Sequence, residues 1–158
     1  MTHKLLNIYL SSTDFYEGND NIDDVNWKAN FIKHFINPLE VNNSIYDVSC
    51  HDPLQNISDK AEIVNDDICN IIQSDFIVCY LPKTKLTIGT LMELQYSCLK
   101  KPKDCIIVID RYQIHRNHPW IKYWVKHIVD NESDAVTKMR NILGSGRFIN
   151  LKERWYYE

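Results

Sequence analysis

Glu93 lies in the stretch TIGTLMELQYSCLKKP, residues 87–102, which reads as a short turn, a helix and a Lys-Pro break. A carboxylate set between Met92 and Leu94 on an apolar helix is a candidate nucleophile if it is ionised and held in place. The pattern puts Glu93 in the first turn of that helix, where the positive end favours the charged form. The plain alternative is a surface glutamate that satisfies the helix dipole. Two other motifs carry chemistry in principle. HRNH, residues 115–118, sits on a loop before Pro119 with no carboxylate spacing to complete a ligand set, so it reads as a surface pair and no metal is expected. GSGRF, residues 144–148, follows a helix and not a strand, so it reads as a C-cap and turn, not a phosphate cradle.

The elements that must position Glu93 follow from hydrophobic period. LLNIYL (5–10), SIYDVSC (44–50), DFIVCYL (75–81) and DCIIVID (104–110) read as strands, the last two apolar enough to be covered on both faces. DDVNWKANFIKHFINPLE places Val25, Ala29, Ile32 and Ile36 at helical spacing, with Asp23 or Asp24 as N-cap and Pro38 as the stop. Residues 57–73 repeat Ile57, Ala61, Val64, Ile68, Ile71 and Ile72 at a helical period. GTLMELQYSCLKK, PWIKYWVKHIVD and SDAVTKMRNILG complete the helices, the last with Ser133 or Asp134 as cap and Gly144 as stop. Trp120, Tyr123, Trp124 and His127 cluster at helical spacing and read as core or subunit interface.

The expected order is β-α-β-α-β-α-β-α-α. It predicts an α/β fold, a doubly wound (Rossmann or flavodoxin-like), mostly parallel sheet in a single domain spanning residues 1–158. Ligands bind such sheets outside the carboxyl ends of the strands. Four loops reach that edge: SSTDF, CHDP, PKTKLTIGT and RYQIHRNHP.

Composition bounds the partners. The chain has 158 residues, a net charge of -3, 44% hydrophobic and 25% charged residues, which gives no reason to expect nucleic acid or an anionic membrane. No run reaches the roughly 18 apolar residues of a membrane span, and the apolar run at the N-terminus is too short for a signal peptide. The five cysteines include no C-x-x-C pair and read as reduced core thiols. The expectation is a cytoplasmic protein.

Three pieces, taken in order, carry a resemblance. NIYLSSTDF (7–15), DDICNIIQSDFIVCYL (66–81) and IGTLMELQYSCLKKP (88–102) resemble the nucleoside 2-deoxyribosyltransferase family and its relatives that hydrolyse deoxynucleoside monophosphates. The resemblance covers roughly residues 5–110. It implies that Glu93 is the nucleophile that attacks C1′ of the deoxyribose, that Tyr9 orients it, and that Asp67 holds the sugar hydroxyls. It implies that Gly89 and Met92 form the helix-start scaffold. It implies no cofactor, a nucleoside or nucleotide as partner, and a homo-oligomer in which Tyr157, near the C-terminus, is a site candidate.

The chain departs from the family pattern at Thr87, at Gln95-Tyr96-Ser97 and at Ser11-Ser12-Thr13, which stands where the family has a small, Gly-rich turn. Thr87 stands where transferases of the family carry an aspartate; with Ser11, Ser12 and Thr13 it is a candidate donor to a 5′-phosphate. Gln95-Tyr96-Ser97 replaces Gly-Tyr-Ala, and Ser97, one turn after Glu93, is expected to face the same side. Asp14 and Phe15, on the first loop, are candidates for contact with sugar and base. The alternative from another class is a catalytically silent nucleotide-binding module of the same fold.

Overall fold

The computed structural model describes residues 2–12, 22–51, 60–81, 88–110 and 116–146. Its elements are β1 (Thr2–Ser11), α1 (Ile22–Lys33), β2 (Leu39–Val41), β3 (Ser44–His51), α2 (Lys60–Gln73), β4 (Phe76–Leu81) and α3 (Ile88–Lys100). A 3-10 turn (Lys103–Cys105), β5 (Ile106–Asp110), α4 (Pro119–Trp124), β6 (His127–Val129) and α5 (Glu132–Gly144) follow. The six strands form one sheet in the order β2-β3-β1-β4-β5-β6. Only β2 runs antiparallel, against β3; the other neighbours pair in parallel. The protein is thus a mixed α/β domain with a mostly parallel sheet and five helices.

The period of two along each strand splits the interior into two cores. Leu6, Ile8 and Leu10 of β1, with Val78 and Tyr80 of β4, meet Trp27 and Phe31 of α1 and Met139 of α5. Tyr9, Ile77, Cys79 and Val108 face the other way, against Ile71 of α2, Leu94 and Cys98 of α3 and Ile121 of α4. All six residues of β4 are buried, as the unbroken apolar run requires of a strand covered on both faces. Asp75 starts this pairing: its carboxylate accepts the Asn7 N–H at 2.9 Å and its own N–H donates to the Asn7 carbonyl at 2.7 Å.

The structure corrects the sequence reading in five places. First, α1 begins at Ile22, so Asp23 and Asp24 lie inside it, and it stops at Lys33, well before Pro38. Second, its buried face is Trp27 and Phe31, with Trp27 stacked on Tyr80 at a centroid distance of 5.3 Å; Ala29, Ile32 and Ile36 are exposed. Both stripes have i, i+4 spacing, and the aromatic one buries the larger area. Third, Leu39–Val41 is a strand, turned into β3 by Asn42 and Asn43, both at positive φ (47° and 63°). Asparagine tolerates that conformation, and the Asn42 amide donates to the Gly144 carbonyl at 2.8 Å. Fourth, the helix expected to run to Asp130 ends at Trp124, and His127–Val129 pairs with β5 as an edge strand. Fifth, the cap of α5 is Asn131, whose side chain accepts the Asp134 N–H. Gly144 closes that helix, and Gly146, at φ 71°, takes the left-handed turn beyond it.

Candidate functional site

Tyr9 and Ser11 lie at the carboxyl end of β1, beside β4 at the pairings Tyr9↔Ile77 and Ser11↔Cys79. Asp67 projects from the middle of α2 on the stripe shared with Ile71, whose side chain enters the core. Glu93 comes from α3. That helix begins at Ile88 and carries no acidic residue in its first turn, so Glu93 belongs to the second turn. The expected support from the helix end is therefore weak, because it falls off within one turn.

The anchor of the Glu93 side chain is Ser11. The fully buried Ser11 hydroxyl donates a hydrogen bond to Glu93 Oε2. The Ser97 hydroxyl, also buried, donates at 2.7 Å to the Glu93 backbone carbonyl. Ser97 thus steadies the helix backbone, and its proton is committed there and not to the Glu93 side chain. Ser11 was expected as a phosphate donor, and its proton is likewise committed.

Burial pushes the Glu93 carboxyl up to about 7, assisted by the negative charge of Asp67 and opposed by the Ser11 hydrogen bond and the positive charge of Lys28. Asp67 is also raised, chiefly by burial, with the neighbouring tyrosine and Lys28 opposing. Tyr9 is raised well above the ordinary phenol range by burial and then by the two carboxylates. It is therefore a protonated donor at any ordinary pH. Its hydroxyl faces both carboxylates without forming a well-made hydrogen bond to either. Among the described residues, the Tyr9 hydroxyl, Asp67 Oδ1 and Thr90 Oγ1 are all buried with no partner. A buried polar group left unsatisfied costs roughly 1–3 kcal/mol, and two of these groups, on Tyr9 and Asp67, lie within electrostatic reach of Glu93.

The remaining candidates divide plainly. Ser12 is buried beside Ser11. Gly89 is exposed, and a Cβ there would meet nothing within 4 Å, so neither packing nor backbone demands glycine. Met92 is 65% exposed on α3. Thr13, Asp14, Phe15, Thr87 and Tyr157 lie outside the described residues. Sequence reading missed Lys28, a buried lysine next to Trp27 in the chain, whose charge reaches Asp67 and Glu93. The signal was a charged residue inside an aromatic stripe that was itself assigned to the wrong face. It also missed Thr90, one turn before Glu93, and Cys79, the cross-strand neighbour of Ser11.

Other features stand apart from this cluster. A groove of about 410 Å³ lies along α3 and α4, lined in part by Leu91, Cys98, Trp120, Ile121 and Trp124, and does not include Glu93. Trp120 and Tyr123 remain exposed, so the aromatic cluster is only partly core. Arg116 pairs with Asp130. Of the five free cysteines, Cys79, Cys98 and Cys105 are buried, Cys50 is half-buried and Cys69 is exposed. Among the described residues no helix is long and apolar enough to cross a membrane. Lys101, just past α3, donates from Nζ to the carbonyls of Ile72 and Ser74 at the end of α2, both at 2.6 Å.

No family model and no curated protein matches the chain. Among solved structures, it is similar to a crystal structure described as a conserved protein from Enterococcus faecalis V583. The TM-score is 0.61 at 13% identity, over 87% of this chain and 99% of that one. At that identity the likeness is one of fold.

Proposed function

We propose that the protein cleaves the N-glycosidic bond of a 2′-deoxynucleoside or deoxynucleoside monophosphate, with Glu93 as nucleophile. The observation that carries this reading is the convergence of Glu93 with the unpartnered Tyr9 hydroxyl and Asp67 Oδ1. One carboxylate is anchored for attack, Tyr9 stands beside it as a donor able to orient it, and Asp67 Oδ1 lacks the partner that a sugar hydroxyl would supply. With the antiparallel β2 set aside, the strand order β3-β1-β4-β5-β6 supports reading the sheet as doubly wound and flavodoxin-like. Ser11 and Glu93 then sit where connections from β1 and β4 diverge, the usual ligand crevice of such sheets.

In the proposed reaction the ionised Glu93 attacks C1′ as the bond to the base breaks, through an oxocarbenium-like state. The bond's electron pair leaves with the base, which is protonated by an acid on the opposite side. Water or a second base then attacks C1′ and releases Glu93, with overall retention. Tyr9 donates to the carboxylate and holds its orientation, and Asp67 accepts from a sugar hydroxyl. Thr87 and Ser12 favour a nucleotide substrate. The homo-oligomeric state implied by the resemblance belongs to the same proposal.

One observation favours the silent nucleotide-binding module instead. A carboxyl pushed up to about 7 is only partly ionised at neutral pH, which suits a hydrogen-bonding group as well as a nucleophile. Chromatographic assay of free base separates the two. Each deoxynucleoside and deoxynucleoside monophosphate is incubated with and without a second base, alongside Glu93→Ala. Release from monophosphates alone, lost in the variant, gives a nucleotide hydrolase. Release that needs an acceptor gives a transferase. No release at concentrations sensitive to a single turnover overturns the enzyme reading.

A further inference from the structure

We infer that Ser11 is a positioning residue that holds Glu93 by one carboxylate oxygen and thereby sets both its direction and its readiness to ionise. The geometry rests on three contacts. Ser11 donates to Glu93 Oε2 from a fully buried hydroxyl. Across the strand pair it stands in register with the buried Cys79. The backbone of Glu93 is held independently by Ser97. With Oε2 turned to the end of β1, Oε1 is the oxygen left to meet a ligand.

A serine here is a selective device. Burial and Asp67 both disfavour the Glu93 charge, and Ser11, Lys28 and, least, Tyr9 support it. The groups facing Glu93 are Tyr9 and Ser11 from β1, Cys79 from β4, Asp67 from α2 and Lys28 from α1. Of these, Ser11 donates a hydrogen bond directly to Oε2 of the carboxylate. Cys79 is held well above the ordinary thiol range, mainly by burial, so it stays a neutral thiol and adds no competing charge. Ser11 therefore acts on one microscopic equilibrium, the ionisation of Glu93, without adding charge of its own.

The kinetic consequence rests on the nucleophile reading; the positional one does not. The test titrates the Glu93 side-chain carboxyl by carbon NMR in the full chain, its signal identified by its loss in Glu93→Gln. Ser11→Ala removes the donor and Ser11→Thr keeps a hydroxyl, with folding checked by near-ultraviolet circular dichroism. The loss of a hydrogen bond to a charged group should raise the midpoint of Ser11→Ala by roughly one to two pH units, a roughly ten- to hundred-fold fall in the ratio of ionised to protonated carboxyl. Ser11→Thr should return most of that shift. An unmoved midpoint in Ser11→Ala overturns the inference, whether or not Ser11→Thr folds, and so does an equal rise in a folded Ser11→Thr. If base release is found, kcat should fall in Ser11→Ala with KM little changed, and its pH limb should move upward with the midpoint. If no base is released, the enzyme reading fails while the titration still decides the role of Ser11.

Discussion

Replacing Glu93 with glutamine should make the protein more stable above neutral pH. The carboxyl is raised by burial from 4.5 to about 7. The native state thus holds this proton more tightly than the unfolded chain. Its destabilising contribution is absent below about pH 4.5, grows as pH rises through the window to 7, and is complete above it. At 1.36 kcal/mol per pH unit, the full effect is roughly 3 kcal/mol. Glutamine keeps the shape and can still accept from Ser11, but it has no charge to desolvate. Urea denaturation followed by tryptophan fluorescence, on both proteins at pH 5 and pH 8, measures the difference. Glu93→Gln should exceed the parent by under about 1 kcal/mol at pH 5 and by about 3 kcal/mol at pH 8. In thermal scans at pH 8 the gap should be about 6–12 °C for a domain of this size. The same variant should release no base. A stability difference that does not change between the two pH values would refute the reasoning, because the buried charge would then not be the cause.

Three further outcomes follow from particular contacts. Tyr9→Phe removes a buried hydroxyl that has no partner among the described residues; stability by urea denaturation should be unchanged or higher by about 1 kcal/mol, while base release falls. Trp27→Ala, which empties a fully buried stack on Tyr80, should cost about 3–5 kcal/mol, against under about 1 kcal/mol for Ile32→Ala at a 44% exposed position. Asn43→Val places a β-branched residue at φ 63° and should cost about 1–2 kcal/mol in the same assay, whereas Asn43→Gly should be neutral.

The strands that fill the core could be read directly, because β4 and β5 are unbroken apolar runs and such runs have few other uses. The short edge strands could not. Leu39–Val41 offers three residues, too few to show a period, and its pairing depends on an asparagine turn that sequence reading passed over. His127–Val129 follows a tryptophan-rich stretch whose helical spacing continues through it, and only its pairing with β5 breaks the pattern. The α1 face was misread because two stripes fit equally well, and side-chain size decided between them. At the site, Tyr9, Asp67 and Glu93 were named from the order of three motifs, and the structure brings them together. Their electrostatics were not legible: the charge state of Glu93 depends on its depth, on Asp67 one helix away, and on Lys28, none of which is local in sequence.

The Lys101 clamp gives the two carboxylate-bearing helices a common fulcrum. Its ammonium grips the tail of α2 from just beyond the tail of α3, so the two are joined like tongs at the end remote from Glu93. Glu93 stands eight residues up its arm, a lever of about 12 Å. A splay of about 5° at the joint would move it relative to Asp67 by about 1 Å, the scale at which misplacement is felt a hundred-fold in rate. A half-buried lysine thus ties together the two arms whose spacing sets the distance between Glu93 and Asp67.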